Sequence, residues 1–353
     1  SLMMGHYEVA KWMIENGDSE LLFATDTNGN SALHYTIYLS SLRLTTLLLQ
    51  RGATAVDKAS SEALCNRPIH LAMLSGNVAI LDLLLAQGAT LKCKVQHGPT
   101  PIWSSFSTDA MNTFERAVGL EPSVLGSDMS AVLRAGFRCG STNIVKWLYE
   151  NRYVTREQLR EGVTTGAVSG ALDLLRWCSS VGVEFGGLRR DGKTPMDIAA
   201  SEGHLECLKF FISPEGGSED PMVYGTNNCN IPLGYAARFG HLHIGKYLKA
   251  LGVPLDPNNT AIVAPLTFAA FGGHLAIVDY MLQHGANVNV GLSVDYTPLR
   301  AACVRGYLEV AQLLVARGAE KVETFKRAAV EACKWSNLSM LEWMKSEGHD
   351  FAE

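Results

Sequence analysis

The dipeptide Gly-His recurs along this chain, each time followed by apolar residues broken by a charge and then by Gly-Ala or Gly-Val. It stands at Gly203-His204, Gly240-His241 and Gly273-His274, with Gly306-Tyr307 continuing the row, at steps of 37, 33 and 33 residues. Periods of this length mark repeat architectures, in which each unit is one supersecondary element that buries its apolar face only against its neighbours. With the glycine slot as marker, Gly5, Ser40, Gly76, Asp109, Gly140, Gly170, Gly203, Gly240, Gly273, Gly306 and Ser336 define eleven units.

A second landmark lies upstream of the slot, at Ser31-Ala32-Leu33-His34, Arg67-Pro68-Ile69-His70, Thr194-Pro195-Met196-Asp197 and Thr297-Pro298-Leu299-Arg300. Proline suits the first helical position, where its missing N–H costs nothing, so each of these opens a short helix. That helix carries paired small residues, Ala199-Ala200, Ala236-Ala237, Ala269-Ala270 and Ala301-Ala302, which admit a second helix at close range. After the slot comes an amphipathic helix, with Leu205, Leu208, Phe210 and Phe211 or Ile277, Val278, Met281 and Leu282 on its apolar side. Gly285-Ala286 and Gly318-Ala319 then end it, glycine accepting the left-handed conformation there.

These motifs resemble the ankyrin repeat, whose unit of about 33 residues carries a Thr-Pro-Leu-His start. The resemblance implies an all-α chain, an ankyrin-repeat solenoid of stacked helix-turn-helix units with β-hairpin loops, and a single domain over 1–353. The units are regular over 26–103 and 188–319; 1–25 reads as an incomplete first unit and 320–353 as a capping unit. Over 104–169 the pattern degenerates: Trp103 stands where His is expected, Glu121-Pro122-Ser123 breaks the period, and Tyr153 replaces the closing glycine. A distorted repeat or a long loop is expected there.

A chain of 353 residues ordinarily suggests two domains, but a solenoid grows by adding units to one. The net charge of −5 offers no basic balance for a phosphate backbone, so no nucleic-acid partner is expected. The uncharged run from Pro257 to Val278 contains Pro265, Gly272-Gly273 and His274 in their repeat positions, which predicts a buried helix-turn-helix and no membrane span. The eight cysteines, Cys65, Cys93, Cys139, Cys178, Cys207, Cys229, Cys303 and Cys333, form no CxxC pair and read as reduced core thiols of a cytoplasmic or nuclear protein.

Candidate chemistry is mostly explained by the repeat. His6, His34, His70, His204, His241 and His274 occupy slots where the ring can hydrogen-bond turn backbone, and His241 and His243 diverge on a helix and do not converge on a metal. Residues Gly162 to Gly170 lack the Gly-Lys-Ser ending of a phosphate loop. No cofactor and no enzymatic activity are expected, because catalysis needs groups that converge and a solenoid keeps distant residues apart. The aromatics Trp12, Trp147, Trp177, Phe210, Tyr247, Tyr280 and Trp343 each fall seven residues after a slot and read as packing between outer helices.

The resemblance places function on the concave face, made by hairpin tips and the outward side of the first helices. The two positions before each slot should face it, and from 238 onward they are basic and aromatic: Arg238, Phe239, Phe271, Arg305 and Trp335 form the expected partner-binding row. The leading reading is a non-enzymatic scaffold that binds a peptide or folded partner. The alternative is a regulatory or targeting domain of a larger polypeptide such as an acyltransferase, ubiquitin-ligase adaptor or channel. Val9, Trp12 and Met13 form an apolar strip in the first unit, so the chain is expected to be a monomer or a weak dimer through that unit.

Overall fold

The computed structural model describes residues 7–17, 24–53, 67–92, 100–126, 128–217, 232–256, 264–291, 297–334 and 337–348. Among them the regular elements are helical, and the expected hairpin loops appear only as two isolated antiparallel bridges, Thr25 with Ser31 and Arg190 with Lys193. The chain divides into two compact units, Ser1–Thr165 and Gly166–Glu353.

Within a repeat, an inner helix ends at the slot and an outer helix begins two residues later, as in Pro265–Gly272 followed by Leu275–Gln283. All nine described slots have positive φ, including the non-glycine residues Ser40 and Asp109 at 51° each, so the slots without glycine occupy the same turn as the rest. The slots Gly5 and Ser336 lie outside the described residues. The run from 264 to 278 is the expected helix-turn-helix, and no helix among the described residues is long and apolar enough to cross a membrane.

The outer helix buries the residues four, five and eight after its slot: Ile144, Val145 and Leu148 in the first unit, Val310, Ala311 and Leu314 in the second. One helical face is thereby apolar. This register corrects one expectation: Met281 fills the place eight residues after its slot, and Leu282 is only half-buried. The small pair of the inner helix sits four and three residues before the slot, so the last pair is Ala302 and Cys303, with Ala301 half-buried beside it.

The first unit holds the stretch expected to be a distorted repeat or a loop. Its described residues are mostly helical, with Pro101–Ser104 running into the 3-10 turn Ser105–Thr108, then Met111–Leu120, Met129–Cys139, Thr142–Glu150 and the start of Arg156–Ser169 in sequence. Glu121-Pro122-Ser123 leads into a single 3-10 turn, Pro122–Leu125. The closing left-handed residue is Arg152, at φ 61°, and Tyr153 takes the place that alanine or valine holds elsewhere, its ring stacked 5.5 Å from Trp147. Trp147 in turn meets Phe114 of the preceding outer helix edge-on at 5.7 Å. In this unit Trp12 stands apart from the aromatic series, 64% exposed, while Ile14 packs with Leu44, Leu48 and Ala53.

In the second unit two of the aromatics seven residues after the slot, Tyr247 and Tyr280, meet the preceding outer helix, while Trp343 packs edge-on against Phe325 of the inner helix before it. Lys209 sits over Tyr247 at 5.6 Å and Lys246 over Tyr280 at 5.7 Å, each cation coming from the preceding repeat. Cys178, Cys207 and Cys303 are buried, and burial pushes their thiols up to about 12, 11 and 12. Cys139, expected in the core, is exposed, because it occupies the last helical position before its slot. Cys65, Cys93, Cys229 and the side chain of Cys333 lie outside the described residues.

Candidate functional site

The last turn of a helix leaves carbonyls without intrahelical donors, and these repeats satisfy them from the next repeat along. His204, His241 and His274 donate through Nε2 to the carbonyls of Val168, Ser201 and Arg238, at 2.9, 2.9 and 3.0 Å. His34 and His70 serve differently, each accepting the backbone N–H of its own helix cap, from Ser31 and Arg67. Five of the six slot histidines are thus engaged with backbone as expected; His6 lies outside the described residues. No group of three or more metal-ligating side chains occurs among the described residues.

This stitching fixes the ends of the inner helices, and the candidate row stands on those ends. Arg238 and Phe239 close the helix Pro232–Phe239, Phe271 lies in the last turn of Pro265–Gly272, and Arg305 ends Pro298–Arg305. Arg238 lies over the ring of Phe271 at 5.2 Å and Arg305 over the same ring at 4.7 Å, one from the repeat before and one from the repeat after. Arg238 also approaches Phe239, at 5.8 Å. Four of the five expected residues are therefore linked through these cation–ring approaches, and Trp335 lies outside the described residues.

The row has a member that the sequence pattern passed over. Lys193 lies 4.6 Å from the ring centre of Tyr235 and 5.8 Å from that of Phe239. It comes from the turn before the inner helix and not from the helix end, so the two-residue frame excluded it; the Asp191-Gly192-Lys193 turn signal was the available clue. The frame fails in the other direction at Ser201, which is buried, its hydroxyl donating to the carbonyl of Ile198.

Phe239 is 47% exposed and both arginines face solvent. Among the described residues no carboxylate comes within ion-pair distance of Lys193, Arg238 or Arg305, whereas Arg317 pairs with Asp279 and Lys209 with Glu206. Beneath Lys193 the buried Asp197 accepts the N–H of Thr194 at 3.0 Å and returns its own N–H to the Thr194 hydroxyl at 3.1 Å. Burial pushes its carboxyl up to about 6, against these hydrogen bonds and the charges of Arg189 and Lys193. The described part of the row sets rings beside cations, with no carboxylate within ion-pair distance of Arg238 or Arg305 among the described residues.

Comparison with known proteins agrees with the repeat geometry. A segment of the chain is 35% identical over 83 residues to the mitochondrial liver isoform of glutaminase from rat and, equally, from mouse, covering 24% of this chain but only 13% of each of those proteins. A family model for ankyrin repeats matches in three copies, over residues 1–96, 139–261 and 233–325. With left-handed slots at the repeat period, cross-repeat histidine bonds and a family match over most of its length, the chain belongs to the ankyrin-repeat family.

Proposed function

We propose that this chain is a non-enzymatic protein-interaction module whose concave face binds a peptide or folded partner along Arg238, Phe239, Phe271, Arg305 and Trp335. Ankyrin repeats are in general protein-interaction modules, and the observation that supports this particular surface is the cation–ring row with no acid paired to it. Arginine and aromatic side chains are the types that most often anchor interfaces. The charges would speed and orient encounter while the rings carry most of the affinity, each costing about 2 kcal/mol or more when truncated. Affinity purification from source cells, with wild type and a Phe239→Ala/Trp335→Ala variant in parallel, tests this. The expected result is a partner lost from the variant while its melting temperature holds; equal losses of binding and stability would make the rings core and end the assignment.

The glutaminase likeness favours a second reading, because the similar segment is a small part of longer chains. In that reading this stack is a regulatory or targeting domain within a larger polypeptide. Full-length transcript sequencing from the source decides between the two. Self-association is a separate proposal, supported by the exposure of Trp12; Met13 is half-buried, and the side chain of Val9 lies outside the described residues. Weak, concentration-dependent dimerisation abolished by Trp12→Glu is expected in sedimentation, and a clean monomer at high concentration would remove it.

A further inference from the structure

Two arginines from alternate repeats share one phenylalanine. Arg238 and Arg305 lie 5.2 and 4.7 Å from the centre of the Phe271 ring, so their guanidinium carbons are separated by no more than about 10 Å, the two ring distances end to end. Stacking on the ring leaves the guanidinium N–H edges free for a planar, bidentate acceptor. It also holds both heads before any ligand arrives, which removes part of the ordering cost of binding. Two such like charges repel, and with no ion-pair partner among the described residues they are a standing demand for negative charge on a chain whose net charge is −5. A separation of up to about 10 Å leaves room for each head to take its own acidic group.

We propose that Arg238, Phe271 and Arg305 form a clamp for an extended acidic segment of a partner protein, in which two carboxylates separated by one residue each take one arginine. Alternate side chains of an extended chain lie on one face, roughly 7 Å apart, a spacing that matches two receivers within about 10 Å. The exposed ring of Phe239 and the cation Lys193 continue the band on the side of the preceding repeats, so an apolar residue followed by a further acid extends the same segment. This specifies the partner for the surface assigned above and rests on that assignment.

The test uses the full chain and a random twelve-residue peptide library, selected on wild type and counter-selected on an Arg238→Gln/Arg305→Gln variant checked for unchanged melting. Enrichment of Glu or Asp at positions i and i+2 in the wild-type pool alone is the expected result. Synthetic peptides then compare Glu-Ser-Glu, Glu-Glu, Gln-Ser-Gln and a single phosphoserine in one neutral context. The Glu-Ser-Glu peptide should bind at least tenfold more tightly than each of the others, and the preference should vanish in the double variant and fall in Phe271→Leu. Equal binding by adjacent glutamates or by phosphoserine would overturn the clamp. Enriched peptides that depend on Phe239 but carry no acids would overturn it while leaving the surface standing, and binders indifferent to every row variant, or no binders at all, would remove both.

Discussion

In the repeats from Gly166 onward the slot glycines Gly170, Gly203, Gly240 and Gly273 each receive a ring from the next repeat, and Gly306 receives the Asn337 amide; in the stretch from 104 to 165 the same junction is made by other chemistry. A Cβ on Gly170, Gly203, Gly240 or Gly273 would meet His204, His241, His274 or Tyr307 at 2.6–2.9 Å, so the next ring fills the space a side chain would need. In the earlier stretch the ring comes from the inner helix itself. Phe106 and Phe137 stand three residues before their slots, where the later repeats carry alanine or cysteine, and Phe137 packs onto Gly162, whose added Cβ would lie 2.2 Å from it. Ser141, at the histidine position, donates its hydroxyl to the carbonyl of Phe106, and Thr113 does the same for Met73. Two regions with unlike consensus residues thus reach one geometry, because the turn requires a positive φ and a satisfied carbonyl and not a particular side chain.

If the outer-helix core is common to both regions, deleting it should cost the same in each. Leu148 and Leu314 are fully buried, eight residues after their slots, and truncating either to alanine should cost roughly 2–5 kcal/mol in denaturant unfolding. The losses should stay local, since a repeat couples only to its neighbours: Leu314→Ala should release amide protons near the C-terminal repeats first, and Leu148→Ala those around 104–165. Uniform deprotection from Asn28 to Gly318 in either variant would break the picture.

The start of the inner helix separates the units by charge. His34 and His70 fill that buried place in the first unit, and Asp197 in the second. Asp197 holds its proton more tightly when folded, with its carboxyl raised from 3.8 to about 6. Its contribution is therefore complete below about pH 4 and gone once pH has risen past about 6. Asp197→Asn keeps an acceptor for Thr194 without the charge, so its stability relative to wild type should rise by roughly 3 kcal/mol at most between pH 4 and 7. Chemical unfolding of both proteins across that range is the check, and parallel curves would mean that the buried carboxylate has a compensating partner.

Within the second unit the ring contact can be separated from backbone strain. Gly273 has φ 77° and Tyr307 against it; Gly318 has φ 91° and open space. Gly318→Ala should cost only the left-handed conformation, roughly 1–2 kcal/mol, and Gly273→Ala roughly 1–3 kcal/mol more from the displaced ring. Equal melting temperatures would mean that Tyr307 moves aside freely.

The period, the helix pairs and the slots were legible in the sequence, because glycine, proline and alanine act at fixed local positions. What was not legible is compensation between repeats. Nothing local to Phe137 announces that Gly162 will make room for it, so in the stretch 104–169 the residues depart from the repeat pattern while the slots Asp109 and Gly140 keep the left-handed turn. The left-handed residue at Arg152 was placed one position late because, without a glycine, only the count from the slot locates it. The basic-aromatic row was legible as residue types at a repeated position, while Lys193 reached it from a turn outside that frame.

Asp109 offers the finest test of the two junctions, since it combines strain and compensation in one residue. Its φ of 51° disfavours any side chain, yet its carboxylate accepts the N–H groups of Asn143 and Ile144 at 2.9 and 3.0 Å, capping the outer helix of the next repeat. Replacement by glycine relieves roughly 1–2 kcal/mol of left-handed strain and removes a cap worth about 1 kcal/mol, so Asp109→Gly should change stability little. Asp109→Ala loses the cap with no relief and should cost about 1–2 kcal/mol. Thermal unfolding should therefore rank glycine above alanine; the reverse order would mean that the conformation is set by neighbouring repeats strongly enough to make the residue's own preference irrelevant, and that the carboxylate alone justifies Asp109 at this slot.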